Sequence, residues 1–133
     1  MTPSRFHRLA ALTVLFVASA AIGAARQDVT LVAKLVNPEQ LAAKGAATVQ
    51  VTVTGVQLVD PAEAGDKPVA GQAHLHYQVD GGIVVATPAP KLSFHELKPG
   101  DHVITVTLTR NDHTPVGPPQ MVRVTVPGAI TTQ

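Results

Sequence analysis

Cysteine and tryptophan are absent from this 133-residue chain, and aromatic residues make up only 3% of it. Without cysteine there is no disulfide, no thiolate zinc site, no iron–sulfur cluster and no thiol nucleophile. Few aromatics leave little with which to stack a sugar or a nucleic-acid base. Beyond the leader described below only Tyr77 and Phe94 remain, and both have inward parity in their strands. Charge is thin as well. Ten Lys and Arg face nine Asp and Glu, a balance that excludes nucleic acid as a partner on electrostatic grounds. Hydrolase signatures are missing: there is no Gly-x-Ser-x-Gly elbow, no phosphate-cradling Gly-rich loop ahead of a helix and no His-Glu-x-x-His. A Ser-His-Asp triad would have to use Ser93, the one serine past the leader, which sits mid-strand and far from Asp112. A metal hydrolase would also need an open coordination position, a base and a substrate cleft, and the chain is short for a cleft. We therefore expect no enzymatic activity.

What is present begins with a leader. Arg5 and Arg8 precede an apolar run from Leu9 to Ile22, and the small residues Gly23, Ala24 and Ala25 follow. This order reads as a signal peptide over residues 1–25, cut after Ala25 or, as a second candidate, after Ala20. The apolar run of about 14 residues is shorter than the roughly 20 a spanning helix needs, so no stable membrane anchor is expected after cleavage. No Cys is available for lipidation, and Arg5 and Arg8 are not adjacent, so neither a lipoprotein nor a twin-arginine signal is supported. With two of the ten cations gone, eight face nine anions. Residues 26–133 are expected to form one domain, and the Ala-rich leader points to a bacterial periplasmic or secreted protein.

From Val29 onward β-branched and other apolar residues recur with period two, separated by Pro and Gly, as in antiparallel strands. A first strand presents Val29, Leu31, Ala33 and Leu35 and stops at Asn37-Pro38. A second runs from Ala47 to Leu58, with a bulge or bend at Gly55; residues 60–70 read as loop. The third, Ala73 to Val79, turns Leu75, Tyr77 and Val79 inward and His74, His76 and Gln78 outward. Asp80-Gly81-Gly82 closes a hairpin into Ile83–Thr87. Strands at Lys91–His95, His102–Arg110 and Met121–Val126 complete the set. About seven short strands with one buried face each predict an all-β fold, an immunoglobulin/fibronectin-like antiparallel β-sandwich preceded by a signal-peptide helix. The stretch from Leu92 to Leu108 resembles the corner between strands E and F of such sandwiches, with His102 at the place of the customary Tyr.

Five of the six histidines lie between His74 and His113. Residues two apart in a strand share a face at about 6.7 Å between Cα atoms, so the imidazoles of His74 and His76 can lean onto one ion. In the predicted topology the third strand pairs antiparallel with the sixth. The start of the third at His74 then lies beside the end of the sixth, and Asn111-Asp112-His113 hangs over it. The candidate metal set is His74, His76, His113 and Asp112, with Met121 a weaker addition. Nitrogen and carboxylate donors suit Cu(II) or Zn(II). The same residues also read as solvated side chains on an outer sheet face, with Asp112 capping a turn; the sequence leaves both open. His95 and His102 belong to the opposite end, His102 holding the corner by hydrogen bonds and His95 exposed beside Glu96.

Two resemblances bear on function. Gly71-Gln72-Ala73-His74-Leu75-His76-Tyr77, Lys91-Leu92-Ser93-Phe94-His95 and Asn111-Asp112-His113-Thr114-Pro115 look like a bacterial family of small exported domains whose function is unassigned. A strand, then Asp112-His113, then Pro115, Gly117 and an alternating last strand, is similar to the periplasmic copper-resistance carriers of the CopC type. That second resemblance implies a copper site using Asp112 and His113. Here they are adjacent rather than spaced, and His74 with His76 would replace an amino-terminal His. The expected partner is thus a copper or zinc ion; the alternative is another envelope protein, docked on the Thr-rich sheet face or the Pro-rich turn, with no metal.

Overall fold

Alternation of small or β-branched apolar residues with Thr, Gln and His drives about half of the described residues into strands. A computed structural model describes residues 28–129; the signal peptide and its helix, expected over residues 1–25, lie outside them. In chain order the elements are β1 (Thr30–Val36), α1 (Pro38–Ala42), β2 (Ala47–Thr54), β3 (Gln57–Leu58), α2 (Pro61–Ala64), β4 (Gln72–Val79), β5 (Val84–Thr87), β6 (Lys91–Phe94), β7 (Gly100–Thr109) and β8 (Gln120–Val126). A three-stranded sheet, β1-β2-β6, packs on a five-stranded one, β3-β4-β7-β8, with β5 also on β4. This is an all-β sandwich.

The core lies between the sheets. Val49 and Val51 from β2 meet Ala73, Leu75 and Tyr77 from β4, Ile104, Val106 and Leu108 from β7, and Val124 from β8. Burying each large side chain of this set contributes about 1.5–3 kcal/mol. Tyr77 lies against Phe94 with ring centroids 6.3 Å apart, and its buried hydroxyl donates to the Ala89 carbonyl at 2.7 Å. Both rings thus face inward, as their parity predicts.

Two expectations change in detail. The strand predicted over Ala47–Leu58 is divided at Gly55, and its second part joins the opposite sheet, where Gln57 and Leu58 pair parallel with Gln72 and Ala73. Gly55 makes the crossing feasible: its φ is +83°, and a Cβ there would lie 2.8 Å from the Asp28 carbonyl oxygen. The loops at Pro38 and Pro61 each hold one helical turn. Proline suits the first helical position, and Asp60 caps its turn by accepting from the Ala62 N–H at 2.9 Å.

Pairing of β4 with β7 positions the site. Their register sets His74 opposite Thr109 and His76 opposite Thr107, as the predicted topology requires. At the far end, Asp80 (φ 50°) and Gly81 (φ 68°) make the β4–β5 turn with the left-handed pair a tight hairpin prefers.

Candidate metal centre

Strand alternation sends Leu75 and Tyr77 into the core and His74, His76 and Gln78 to the outer face of the five-stranded sheet. That face would be wet but for the segment after β7. Thr109 bridges to Pro115, the Arg110 N–H donates to the Thr114 carbonyl at 2.8 Å, and the His113 N–H donates to the Arg110 carbonyl at 2.9 Å. The chain thereby folds back as a tight turn with His113 at its tip in the left-handed region, φ 63°. Beneath it His74 is fully buried (0%), as are Thr109 (2%) and Asn111 (1%), while His76 is half-buried and His113 exposed.

Asp112 builds this turn. Its Oδ1 accepts from the Thr114 backbone N–H at 3.1 Å and from the Thr114 hydroxyl at 2.6 Å. The hydroxyl bond, then the backbone bond, holds its carboxyl below the usual range. Its carboxylate is not in the group of converging ligand atoms; the Asx-type turn weighed for it in the sequence is what the structure contains.

Three of the four residues proposed as ligands do converge. The ligand nitrogens of His74, His76 and His113 all lie within 4.8 Å of one another, and the ring centroids stand 4.9, 4.9 and 5.2 Å apart. His76 Nε2 is 2.9 Å from His74 Nε2 and 3.1 Å from His113 Nδ1. Burial, then the neighbouring imidazoles His76 and His113, lowers the pKa of His74; burial, then His113, lowers that of His76. Both rings are therefore held in the neutral form, which carries the lone pair a metal needs.

Proton counting shows why hydrogen bonds alone serve this arrangement badly. A neutral imidazole nitrogen offers in its ring plane either one N–H or one lone pair. His76 Nε2 has two ring nitrogens within hydrogen-bonding distance and a single group with which to answer them. An ion at the common focus would engage all three lone pairs at once. In a tetrahedral zinc site with Zn–N of about 2.1 Å, ligand nitrogens lie about 3.4 Å apart, so the two pairs that meet at His76 Nε2 need spread only a few tenths of an ångström to admit one.

The surroundings of His74 were less visible in the sequence. Thr109 Oγ1 lies 3.0 Å from His74 Nε2 and 3.4 Å from the His74 carbonyl oxygen. Asn111 Nδ2 donates to Gln72 Oε1 at 3.1 Å. Among the described residues two buried side-chain polar atoms lack a partner, His74 Nδ1 and Asn111 Oδ1. Parity and register would have pointed to Thr109, since it pairs with His74; nothing in the spacing signals the burial.

Met121, the weaker addition to the ligand set, is 60% exposed and pairs with Thr105, whose partner on β4 is Gln78, two residues beyond His76. His95 is exposed. His102 holds the opposite corner as expected. Its Nε2–H donates to the Lys98 carbonyl at 2.6 Å, and its Nδ1 meets Asp80 Oδ2 at 2.6 Å. The carbonyl bond, then the bond to Asp80, raises its pKa, while the Val103 N–H, then His102, lowers that of Asp80.

No family model matches the chain, and no curated protein matches it. Neither the exported bacterial family nor the copper carriers are therefore supported by comparison. Among solved structures the chain is similar to one described as fibronectin(III)-like modules of Clostridium thermocellum CbhA. Identity is 20%, the match covers 72% of this chain and 97% of that one, and the TM-score is 0.43.

Proposed function

We propose that this protein is an exported, non-catalytic β-sandwich that binds one transition-metal ion, Cu(II) or Zn(II), through His74 Nε2, His76 Nε2 and His113 Nδ1. The observation that carries the proposal is the position of His76 Nε2, 2.9 Å and 3.1 Å from two other ring nitrogens with one in-plane group to satisfy both. Supporting it, burial and then neighbouring imidazoles lower the pKa of two of the three rings, which favours their neutral form. Asp112 serves by fixing the turn that presents His113.

The role is binding or carriage rather than turnover. Among the described residues no carboxylate joins the three histidines, so no general base stands ready beside the ion. A cavity of about 310 Å³ lined in part by Gln72, Arg110 and Val116 contains none of the three. Export to the periplasm or beyond rests on the leader pattern of residues 1–25. No helix among the described residues is long and apolar enough to cross a membrane.

The test is an equilibrium titration of the purified mature protein with Cu(II) and with Zn(II), alongside a His74→Ala/His76→Ala variant. The proposal expects one ion per chain in the parent protein and loss of that binding in the variant. Affinity no tighter than about 10 μM, or equal binding by the two proteins, would remove the metal and leave an envelope interaction module.

A further inference from the structure

Metal binding at His74 Nε2 raises a question about the ring's other nitrogen. The ligating nitrogen must be free of a proton, so the single proton of a neutral His74 has to sit on Nδ1. That atom is buried without a partner, in a side chain of 0% exposure. A metal-bound imidazole ordinarily donates this proton to an acceptor, which fixes the tautomer and the ring orientation. A second orphan of the opposite kind lies on the same sheet face: Asn111 Oδ1, an acceptor, buried and unpartnered. The bond from Asn111 to Gln72 ties it to the residue two before His74 in β4. Gln72 and His74 therefore share the outer face at about 6.7 Å between Cα atoms, beneath the turn that carries His113.

We infer that Asn111 is the positioning residue of the metal centre, its Oδ1 receiving the His74 Nδ1 proton when an ion occupies Nε2. The inference rests on the metal reading above and deepens it by naming what holds the most buried ligand in its binding tautomer. Thr109 makes the exchange feasible. When the ion takes the His74 Nε2 lone pair, the Thr109 hydroxyl keeps a second acceptor, the His74 carbonyl at 3.4 Å, and is not stranded. Gln72 holds the Asn111 amide by its other end, which tethers the unpartnered acceptor to β4 on the face His74 shares. The ion then meets one ligand on β4 that closes onto Asn111 as it binds, a second on the same strand two residues on, and a third on a turn that the Asp112–Thr114 bonds hold in shape.

The experiment compares Zn(II) affinity of the full mature chain with that of Asn111→Leu, which keeps the shape and removes the acceptor, and of Asn111→Asp, which keeps it. Chelator competition gives the dissociation constants, and ¹⁵N-imidazole NMR of the zinc-loaded proteins gives the His74 tautomer. Asn111→Leu is expected to bind about 10–100-fold more weakly, with Asn111→Asp at or above parental affinity and the parent protonated at His74 Nδ1. The zinc-free melting midpoint of each variant separates loss of an acceptor from loss of fold; should Asn111→Leu not fold, Asn111→Ala takes its place under the same expectation. Leu and Asn binding within twofold of each other, or a loaded His74 protonated at Nε2, would overturn the inference while leaving zinc binding intact. Failure of the parent protein to bind zinc would overturn the metal reading itself.

Discussion

Replacing His113 with Asn removes one ligand from the turn and leaves the rest of the site in place. His113 is exposed and sits at φ 63°, a conformation that Asn enters more readily than most residues, so the metal-free variant should lie within about 0.5 kcal/mol of the parent. The difference should emerge on adding metal. The three ligands join β4 to a turn 37 residues further along the chain, so an ion bound there favours only the folded state. Free metal at about 100 times the dissociation constant adds about 2.7 kcal/mol. For a domain of this size each kcal/mol moves the melting midpoint by roughly 4–8 °C, hence an upward shift of about 10–20 °C. If loss of the third imidazole weakens binding about a hundredfold, the same free metal stabilises the variant by only about 0.4 kcal/mol, or roughly 2–3 °C. Thermal unfolding followed by circular dichroism, with and without Zn(II), measures both. His95→Asn is the control, since His95 is exposed and outside the group, and it should shift as far as the parent. Equal shifts for parent and His113→Asn would refute the reasoning, as would a parent that metal does not stabilise.

Other consequences follow from the fold. Leu75→Ala, at a fully buried core position, should cost about 2–5 kcal/mol, read as a lower urea midpoint with an unchanged slope. Tyr77→Phe leaves the Ala89 carbonyl without its donor and should cost about 1–3 kcal/mol by the same assay. The His102–Asp80 corner predicts a pH dependence in the metal-free protein. His102 has a raised pKa, so its contribution is complete below its unfolded value of 6.5 and is lost as pH rises through the folded value. Asp80 has a lowered pKa, so its contribution is present above its unfolded value of 3.8 and is lost as pH falls through the folded one. Stability from this corner should therefore be greatest between those two values and decline on the alkaline side. Asp80→Asn should flatten that decline; a parent whose midpoint does not fall on the alkaline side would contradict the assignment.

The strands of this protein were legible because period-two alternation is a direct imprint of a half-buried sheet, and Leu75, Tyr77, Ile104, Val106 and Leu108 all face the core as their parity requires. Where the chain leaves that pattern, the sequence said less. Gly55 announced a bend, but that the strand would cross to the other sheet depends on the close approach of the Asp28 backbone, a contact between distant segments that no local spacing encodes. The meeting of His74 and His76 with His113 followed from topology, since antiparallel pairing of β4 with β7 brings those ends together. Asp112 could be read as ligand or cap, and Thr114 two residues later supplied both a backbone and a hydroxyl donor for the cap. The burial of His74 was hidden for a different reason. By parity it belongs to an outer, polar face, and the turn after Thr109 folds back to set the His113 ring against it, centroids 4.9 Å apart.

The central claim is most directly tested by anomalous X-ray scattering from crystals of the zinc-loaded mature protein, which locates the ion independently of any assumed ligand. The account predicts one full site per chain, with His74 Nε2, His76 Nε2 and His113 Nδ1 each about 2.0–2.1 Å from the ion. An ion bound elsewhere, or a loaded crystal with no peak among these three rings, would contradict it.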